Sequence, residues 1–375
     1  MTGLNGNRVY LDWNATAPLR PEGRAAMLAA MDEVGNPSSV HNEGRVAKKI
    51  IERARAQIAA LMGCESSEIV FTSGATEAAL LSVGHHSGRA AMSGVEHDCL
   101  QVYRDRFDDC LEIALDSGGV VHPMTIPNLD IQDGDLCILQ AANSETGITQ
   151  NVFDFGFTTR EAGAISVTDA VQQAGKLEMS LFDDRVDWAL ISAHKFGGPK
   201  GVGAAITRCS FDAIHRGGGQ EQGRRSGTEN VIGIAGFGAA AEAAQRDLEA
   251  GVWEPVEKLR NILEETLAEA APETIFFGQE SPRLPNTSCF AVPGWTGETQ
   301  VMQMDLAGFA ISAGSACSSG KVNKASRVVL AMGFDEVTAS SAIRVSMGPT
   351  TTEAEVMAFA QTWIDHYNRR KSRAA

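Results

Sequence analysis

From Pro21 to about Val34, and again from Glu43 to Met62, apolar residues recur every three or four positions. This spacing predicts two amphipathic helices, the second ended by Gly63. The stretch between them, Gly35-Asn36-Pro37-Ser38-Ser39-Val40-His41, breaks the period, and its glycine, proline and short polar residues favour turns. Short apolar runs then alternate with helical patterns. Strands are expected at Glu68–Thr72, Arg89–Met92, Leu111–Leu115, Leu136–Ala141, Ala164–Thr168, Asp187–Ser192 and Val202–Thr207. Helices are expected from Ala75, from Asp98, and from about Phe153 to Ala162. This βαβ rhythm predicts an α/β fold with a mostly parallel sheet. In such sheets ligands sit beyond the carboxyl ends of the strands.

A long Ala-rich helix follows from Asn230 to about Ala250, after which the order becomes helix, strand, helix, strand, helix (about 253–270, 286–292, 297–308, 342–346 and 352–369). The change of rhythm predicts a large domain over 16–250 and a smaller α+β domain over 1–15 and 251–375.

Charge and cysteine count narrow the function. Among 375 residues, 32 Lys and Arg stand against 47 Asp and Glu, for a net charge of −15. The basic side chains are outnumbered and scattered, which argues against a nucleic-acid binder. No apolar run approaches the roughly 20 residues that span a bilayer, and Met1 to Arg8 does not resemble a signal peptide. A soluble, cytoplasmic protein without membrane contact is expected. The seven cysteines form no CxxC pair, so a disulfide framework, a zinc ribbon or an iron–sulfur carrier is not expected. Six of them have apolar or helical neighbours and read as small buried hydrophobes, with Cys317 the exception.

The chemistry is concentrated just after the strands. Ser73-Gly74-Ala75-Thr76-Glu77 is a small-residue turn opening a helix, where free N–H groups and the helix dipole can hold a phosphate. By itself it is equally well an ordinary helix cap. One strand runs into Asp169 and another into Ala193-His194-Lys195. Pyridoxal phosphate requires such a pair, a lysine for the Schiff base and a carboxylate to keep the pyridine nitrogen protonated.

Seven segments resemble, in order and approximate spacing, the pyridoxal-phosphate cysteine desulfurases of the nitrogen-fixation and iron–sulfur-cluster type. They are Tyr10-Leu11-Asp12 with Asn14-Ala15-Thr16, Gly35-Asn36-Pro37-Ser38-Ser39 with His41, Ile69 to Glu77, Asp169-Ala170-Val171-Gln172, Ser192-Ala193-His194-Lys195, Arg225-Ser226-Gly227-Thr228 and Ser315-Ala316-Cys317. The match spans nearly the whole chain and implies the fold of type I pyridoxal-phosphate transferases, within the class V aminotransferase family.

The resemblance implies roles residue by residue. Lys195 would carry the cofactor, Asp169 would pair with its ring nitrogen and Gln172 would reach its phenolic oxygen. Ala75, Thr76, Ser192 and His194 would hold the phosphate, joined by Thr228 from the second subunit of a homodimer. His97 would stack on the ring and could move protons. Arg344 would clamp the substrate carboxylate, a task suited to the planar guanidinium fork, and Asn36 would contact the substrate. Cys317 would attack the sulfur of L-cysteine, release alanine and pass a persulfide to an acceptor, a thiol or an iron–sulfur scaffold protein. No metal is implied.

The pattern departs from the family in two places. Where it carries two adjacent asparagines, this chain has Asn143-Ser144, so the cofactor contact could come from either residue. After Glu77 the usual polar stretch is replaced by Ala78-Ala79-Leu80-Leu81. Rival readings on the same scaffold are a selenocysteine lyase, a cysteine-sulfinate desulfinase and a small-amino-acid aminotransferase. A non-catalytic partner of another desulfurase would be expected to have lost part of the catalytic set, and this chain keeps it.

Overall fold

The computed structural model describes residues 8–122, 124–214, 216–314 and 325–374. Its centre is a seven-stranded sheet with Ile69–Thr72 at one edge. Gly203–Thr207, Trp188–Ser192, Ile165–Asp169, Leu136–Ile138, Arg89–Met92 and Asp109–Glu112 follow in that spatial order. Only Gly203–Thr207 runs against its neighbours; the remaining ladders are parallel.

Both faces of this sheet are covered, and successive side chains divide between them as the two-residue period of a strand requires. Ile69, Phe71, Ala189, Ile191, Ala204 and Ile206 join one core with Ile58 and Phe237 from the helices Asn42–Met62 and Val231–Glu249. Val70, Trp188, Leu190 and Ala205 join the opposite core with Leu81 and Leu100. The two long helices meet through small residues. A Cβ on Gly238 would lie 2.5 Å from the Ala54 Cα, so glycine is needed for the backbones to come this close.

A second, four-stranded antiparallel sheet has the order Ser312–Ala313, Ala342–Ser346, Thr287–Ala291, Ile275–Phe276. It packs beneath the helices Trp253–Ala270 and Glu353–Ala374, around fully buried Phe290, Phe359, Trp363 and Tyr367. Each such aromatic contributes roughly 1.5–3 kcal/mol by burial. Leu11 belongs to this core, and the adjoining strand Val9–Tyr10 pairs in parallel with Phe309–Ala310. The chain then passes Ser346 and reaches the carboxyl edge of the large sheet, where the Ala17 N–H donates to the His194 carbonyl at 2.8 Å.

The expected strand at Leu111–Leu115 forms instead at Asp109–Glu112. Its period-two pattern continues through Ile113 and Leu115, but the neighbouring strand ends at Met92 and the ladder ends with it. The helix expected from Asp98 is a single turn, Asp98–Gln101. Among the described residues no helix is long and apolar enough to cross a membrane.

Candidate active site

A cavity of about 540 Å³ opens beyond the carboxyl ends of the parallel strands. Its walls come from the residues that follow those strands: Ser73 to Thr76, His97, Gln140, Asp169 and Ser192 to Lys195, together with Ala15 and Thr16 from the N-terminal segment. The topology therefore brings together residues separated by as many as 180 positions, at the place where such sheets bind ligands.

At one wall, the helix Ala75–Val83 starts without a side-chain cap on its N-terminus. The first N–H groups of a helix have no partner within it and carry the positive end of its dipole. A Cβ on Gly74 would meet no atom within 4 Å, so this turn faces open space. The turn is held from below: Glu77 accepts the Ser73 N–H at 2.6 Å and pairs with Arg225 at 2.9 Å. An anion of phosphate size fits these N–H groups.

At the opposite wall lies Asp169, whose Oδ1 accepts the Val171 N–H at 2.9 Å. Burial pushes its carboxyl up, while His97, that N–H and Lys195 pull it down. A cationic ring nitrogen next to Asp169 would hold its charge in the same way. The Lys195 Nζ donates to the main-chain carbonyls of Asn14 at 2.7 Å and Ala15 at 3.2 Å. The His97 Nδ1 accepts the Cys99 N–H at 3.1 Å, which fixes its ring at the cavity wall. Burial, then Lys195 and Lys200, lower His194 to about 4, so it is neutral at pH 7, and its Nδ1 lies 3.2 Å from the Thr16 Oγ1. An uncapped helix start, a buried carboxyl and an amine around one cavity fit pyridoxal phosphate.

Ala75, Thr76, His97, Ser144, Asp169, Gln172, Ser192, His194 and Lys195 all line this cavity. Asn143 does not, because its amide is used by its own turn. The Oδ1 accepts from the Glu145 and Thr146 N–H groups, and the Nδ2 donates to the Val95 carbonyl. Of the two candidates for the cofactor contact, the one facing the cavity is Ser144. Arg344 is buried beside it rather than lining it, with Nη2 2.6 Å from Asp12 Oδ1 and Nη1 donating to the Ser144 carbonyl at 2.8 Å. Its Nε is buried without a partner. Asn36 is exposed in its loop, where its Oδ1 accepts the Ser38 N–H at 2.9 Å. Thr228 is exposed and outside the cavity. Cys317 lies outside the described residues.

The site also uses residues to which the sequence assigned no role. Asn14 is fully buried at the cavity floor, and its carbonyl accepts from both Lys195 and Gln172. Lys176 is buried below Gln172. The four-residue separation of Gln172 and Lys176 was the one available signal, and a surface lysine shows the same spacing. Cys99 reaches the cavity wall, but burial pushes its thiol up, as it does for Cys64, Cys110, Cys137, Cys209 and Cys289.

Residues 9–359 match the family described as aminotransferase class-V. The chain is 39% identical to a cysteine desulfurase of Cereibacter sphaeroides, over 93% of each chain. Among solved structures it resembles a NifS-like protein from Rickettsia africae, with a TM-score of 0.89, 31% identity, and coverage of 96% of this chain and 99% of that one. It also resembles SspA in complex with cysteine, with a TM-score of 0.77, 26% identity, and coverage of 92% and 99%.

Proposed function

The chain belongs to the class-V aminotransferase family and is a pyridoxal-phosphate-dependent cysteine desulfurase; on that premise we propose that Lys195, His97 and Cys317 carry out the reaction. The cofactor supplies an electron sink that makes the substrate Cα proton removable. The observation that carries the assignment is the convergence of Lys195, Asp169, His97 and the start of the helix Ala75–Val83 on one cavity.

Ala75 and Thr76 would hold the phosphate through their N–H groups, joined by Ser192 and His194. Asp169 would hold the charge of the ring nitrogen, while Gln172 and Ser144 would contact the ring substituents. The Lys195 amine would take the proton from the substrate Cα and return one to the product, and His97, held at the cavity wall, would face the cofactor ring and move protons at the nitrogen not engaged by the Cys99 N–H. Arg344 binds the substrate carboxylate through the side of the guanidinium that carries the unpartnered Nε. Asn36, if it serves the substrate, needs its loop to approach from another position.

The Cys317 thiolate attacks the sulfur of L-cysteine. The substrate Cβ–S bond breaks as the S–S bond forms, so Cys317 is left as a persulfide and L-alanine leaves with the two electrons of the broken bond and a proton at Cβ. The six described cysteines support Cys317 as the nucleophile, because burial, full or partial, pushes each of their thiols up and so disfavours the thiolate. The persulfide sulfur then passes to an acceptor thiol, such as that of an iron–sulfur scaffold protein.

The working unit is a cytoplasmic homodimer, with Thr228 reaching the second subunit's phosphate. Its exposure away from its own cavity supports this, and the unpaired described cysteines suit a reducing compartment. The large domain covers 16–250 and the small one 1–15 and 251–375. Leu11's place in the core of the smaller sheet supports that division.

The test is to incubate the holoenzyme with L-cysteine and a reductant, measuring alanine and sulfide together. Equal amounts of both, lost in Cys317→Ser while the cofactor stays bound, are expected. Alanine formation undiminished in Cys317→Ser would exclude Cys317 as the sulfur acceptor, and selenocysteine and cysteine sulfinate would then be the substrates to try.

A further inference from the structure

Below the cavity floor lies a polar cluster whose lysine has no part in the reaction described so far. Lys176 is 2% exposed, and its Nζ is held between the Gln172 Oε1 at 2.7 Å and the Asn14 Oδ1 at 3.2 Å. The Gln172 Nε2 donates to the Asn14 carbonyl at 3.0 Å, and the same carbonyl receives Lys195. Three residues thus close a ring of hydrogen bonds, joined to the cofactor lysine at Asn14.

The ring admits one orientation of the Gln172 amide. Turned over, its oxygen would face the Asn14 carbonyl, and the N–H that Lys176 donates would lose its acceptor, so one hydrogen bond would become a repulsion and the other would be lost in its present form. Asn14 cannot adapt, because its Nδ2 donates to the Thr287 Oγ1 at 2.8 Å and to the Ser144 carbonyl at 3.2 Å, and its Oδ1 also accepts the Asn286 Nδ2 at 3.0 Å. With one N–H of Gln172 on Asn14, the second is free to point into the cavity that Gln172 lines.

We propose that Lys176 is a positioning residue that sets the Gln172 amide so that it presents an N–H, and not an oxygen, to the cofactor. This rests on the reading that Gln172 contacts the ring's phenolic oxygen, which when ionised only accepts. Burial, followed by Lys195 and Arg344, drives the Lys176 ammonium toward the neutral amine. A neutral amine keeps two N–H bonds, enough for the two acceptors in place, and it adds no buried charge beside Lys195.

The test uses the holoenzyme and follows the visible absorption of the bound cofactor as pH is varied. Gln172→Leu is expected to displace the midpoint by about one pH unit, the effect of one hydrogen bond on a titrating group. Lys176→Met should displace it in the same direction, and the double variant should move no further than Gln172→Leu alone. Additive shifts, or a silent Lys176→Met beside a shifted Gln172→Leu, would overturn the positioning role and leave the Gln172 contact standing. A silent Gln172→Leu would overturn that contact, and the proposal with it. Lys176→Leu serves the same comparison if the methionine variant does not fold.

Discussion

Asp12 and Arg344, 332 positions apart in the chain, form a buried ion pair at the edge of the cavity, with Nη2 2.6 Å from Oδ1 and the side chains 17% and 5% exposed. The Ser312 Oγ donates to the same carboxylate oxygen at 2.9 Å. The guanidinium assigned to the substrate is therefore already paired and oriented before a substrate carboxylate arrives.

Asp12→Asn leaves the Arg344 charge uncompensated, and a loss of about 3 kcal/mol of stability is expected. A ligand carboxylate would restore the missing charge, so added L-alanine should raise the melting temperature of Asp12→Asn more than that of the wild type. Equal increments in the two proteins would mean that Arg344 does not meet the ligand carboxylate.

Glu96 is fully buried next to His97, and burial raises its carboxyl from 4.5 to about 8 against the pull of the Ser93 hydroxyl and the Gln140 N–H. Because the folded value is the higher one, the fold favours the protonated form. The stability Glu96 contributes is complete below about pH 4.5 and is lost as pH rises toward 8. Glu96→Gln has no proton to lose, so its advantage over the wild type should grow by about 3–5 kcal/mol across that window and then level off. Urea unfolding of both proteins at the two ends of the window measures this, and parallel pH curves would contradict it.

Gly203 stands where the reversed strand crosses behind the phosphate turn. A Cβ there would lie 2.6 Å from the Ile191 carbonyl oxygen and 2.8 Å from the Gly74 Cα, both backbone atoms that cannot swing aside. Gly203→Ala should therefore displace the turn and weaken cofactor affinity at least about tenfold, equivalent to about 1.4 kcal/mol. Equilibrium dialysis against pyridoxal phosphate reads this, with circular dichroism to show that the fold persists.

Arg55 and Glu221 form a bidentate pair with both bonds at 2.9 Å, and Glu221 also accepts the Phe71 N–H at 2.9 Å. This pair anchors a loop in which Glu221, Gln222 and Gly223 all have positive φ. Glu221→Ala would leave the Arg55 guanidinium without its buried counter-charge, though still bonded to the Ile69 carbonyl and near Glu52, and the Phe71 N–H without its acceptor, at a cost of about 3 kcal/mol. Replacing both members with methionine should cost clearly less, and equal losses in the single and double variants would show that the pair itself is not what matters.

Much of this was legible along the chain because it depends on local periods. The helix Asn42–Met62 follows from its three- and four-residue apolar spacing and its terminal Gly63, and the buried strands follow from their apolar runs. The edge strand Asp109–Glu112 was misplaced because its extent depends on its neighbour, which ends at Met92, and not on its own residues. Lys195, Asp169 and the Ser73–Thr76 turn were legible because each lies at or just after the end of a strand, in a segment that resembles the family, whereas His97, five residues beyond the strand that ends at Met92, was named from the resemblance alone.

The burial of Lys176, and the role of Asn14 within its family-like segment, were hidden for a different reason. A lysine reads as a surface residue, and only the arrival of Gln172 and Asn14 at its amine makes burial tolerable. That Ser144 and not Asn143 lines the cavity likewise depends on hydrogen bonding, since the tight turn after Asn143 consumes that residue's amide. By itself the sequence determined the α/β class, through its short-range patterns, and the cofactor, through the paired Asp169 and Lys195 and the resemblance of its motifs to a known family, and that resemblance named the residues proposed for the chemistry. The tertiary structure alone decided which side chains face the cavity and which are spent holding it, because those roles depend on contacts between segments more than a hundred residues apart.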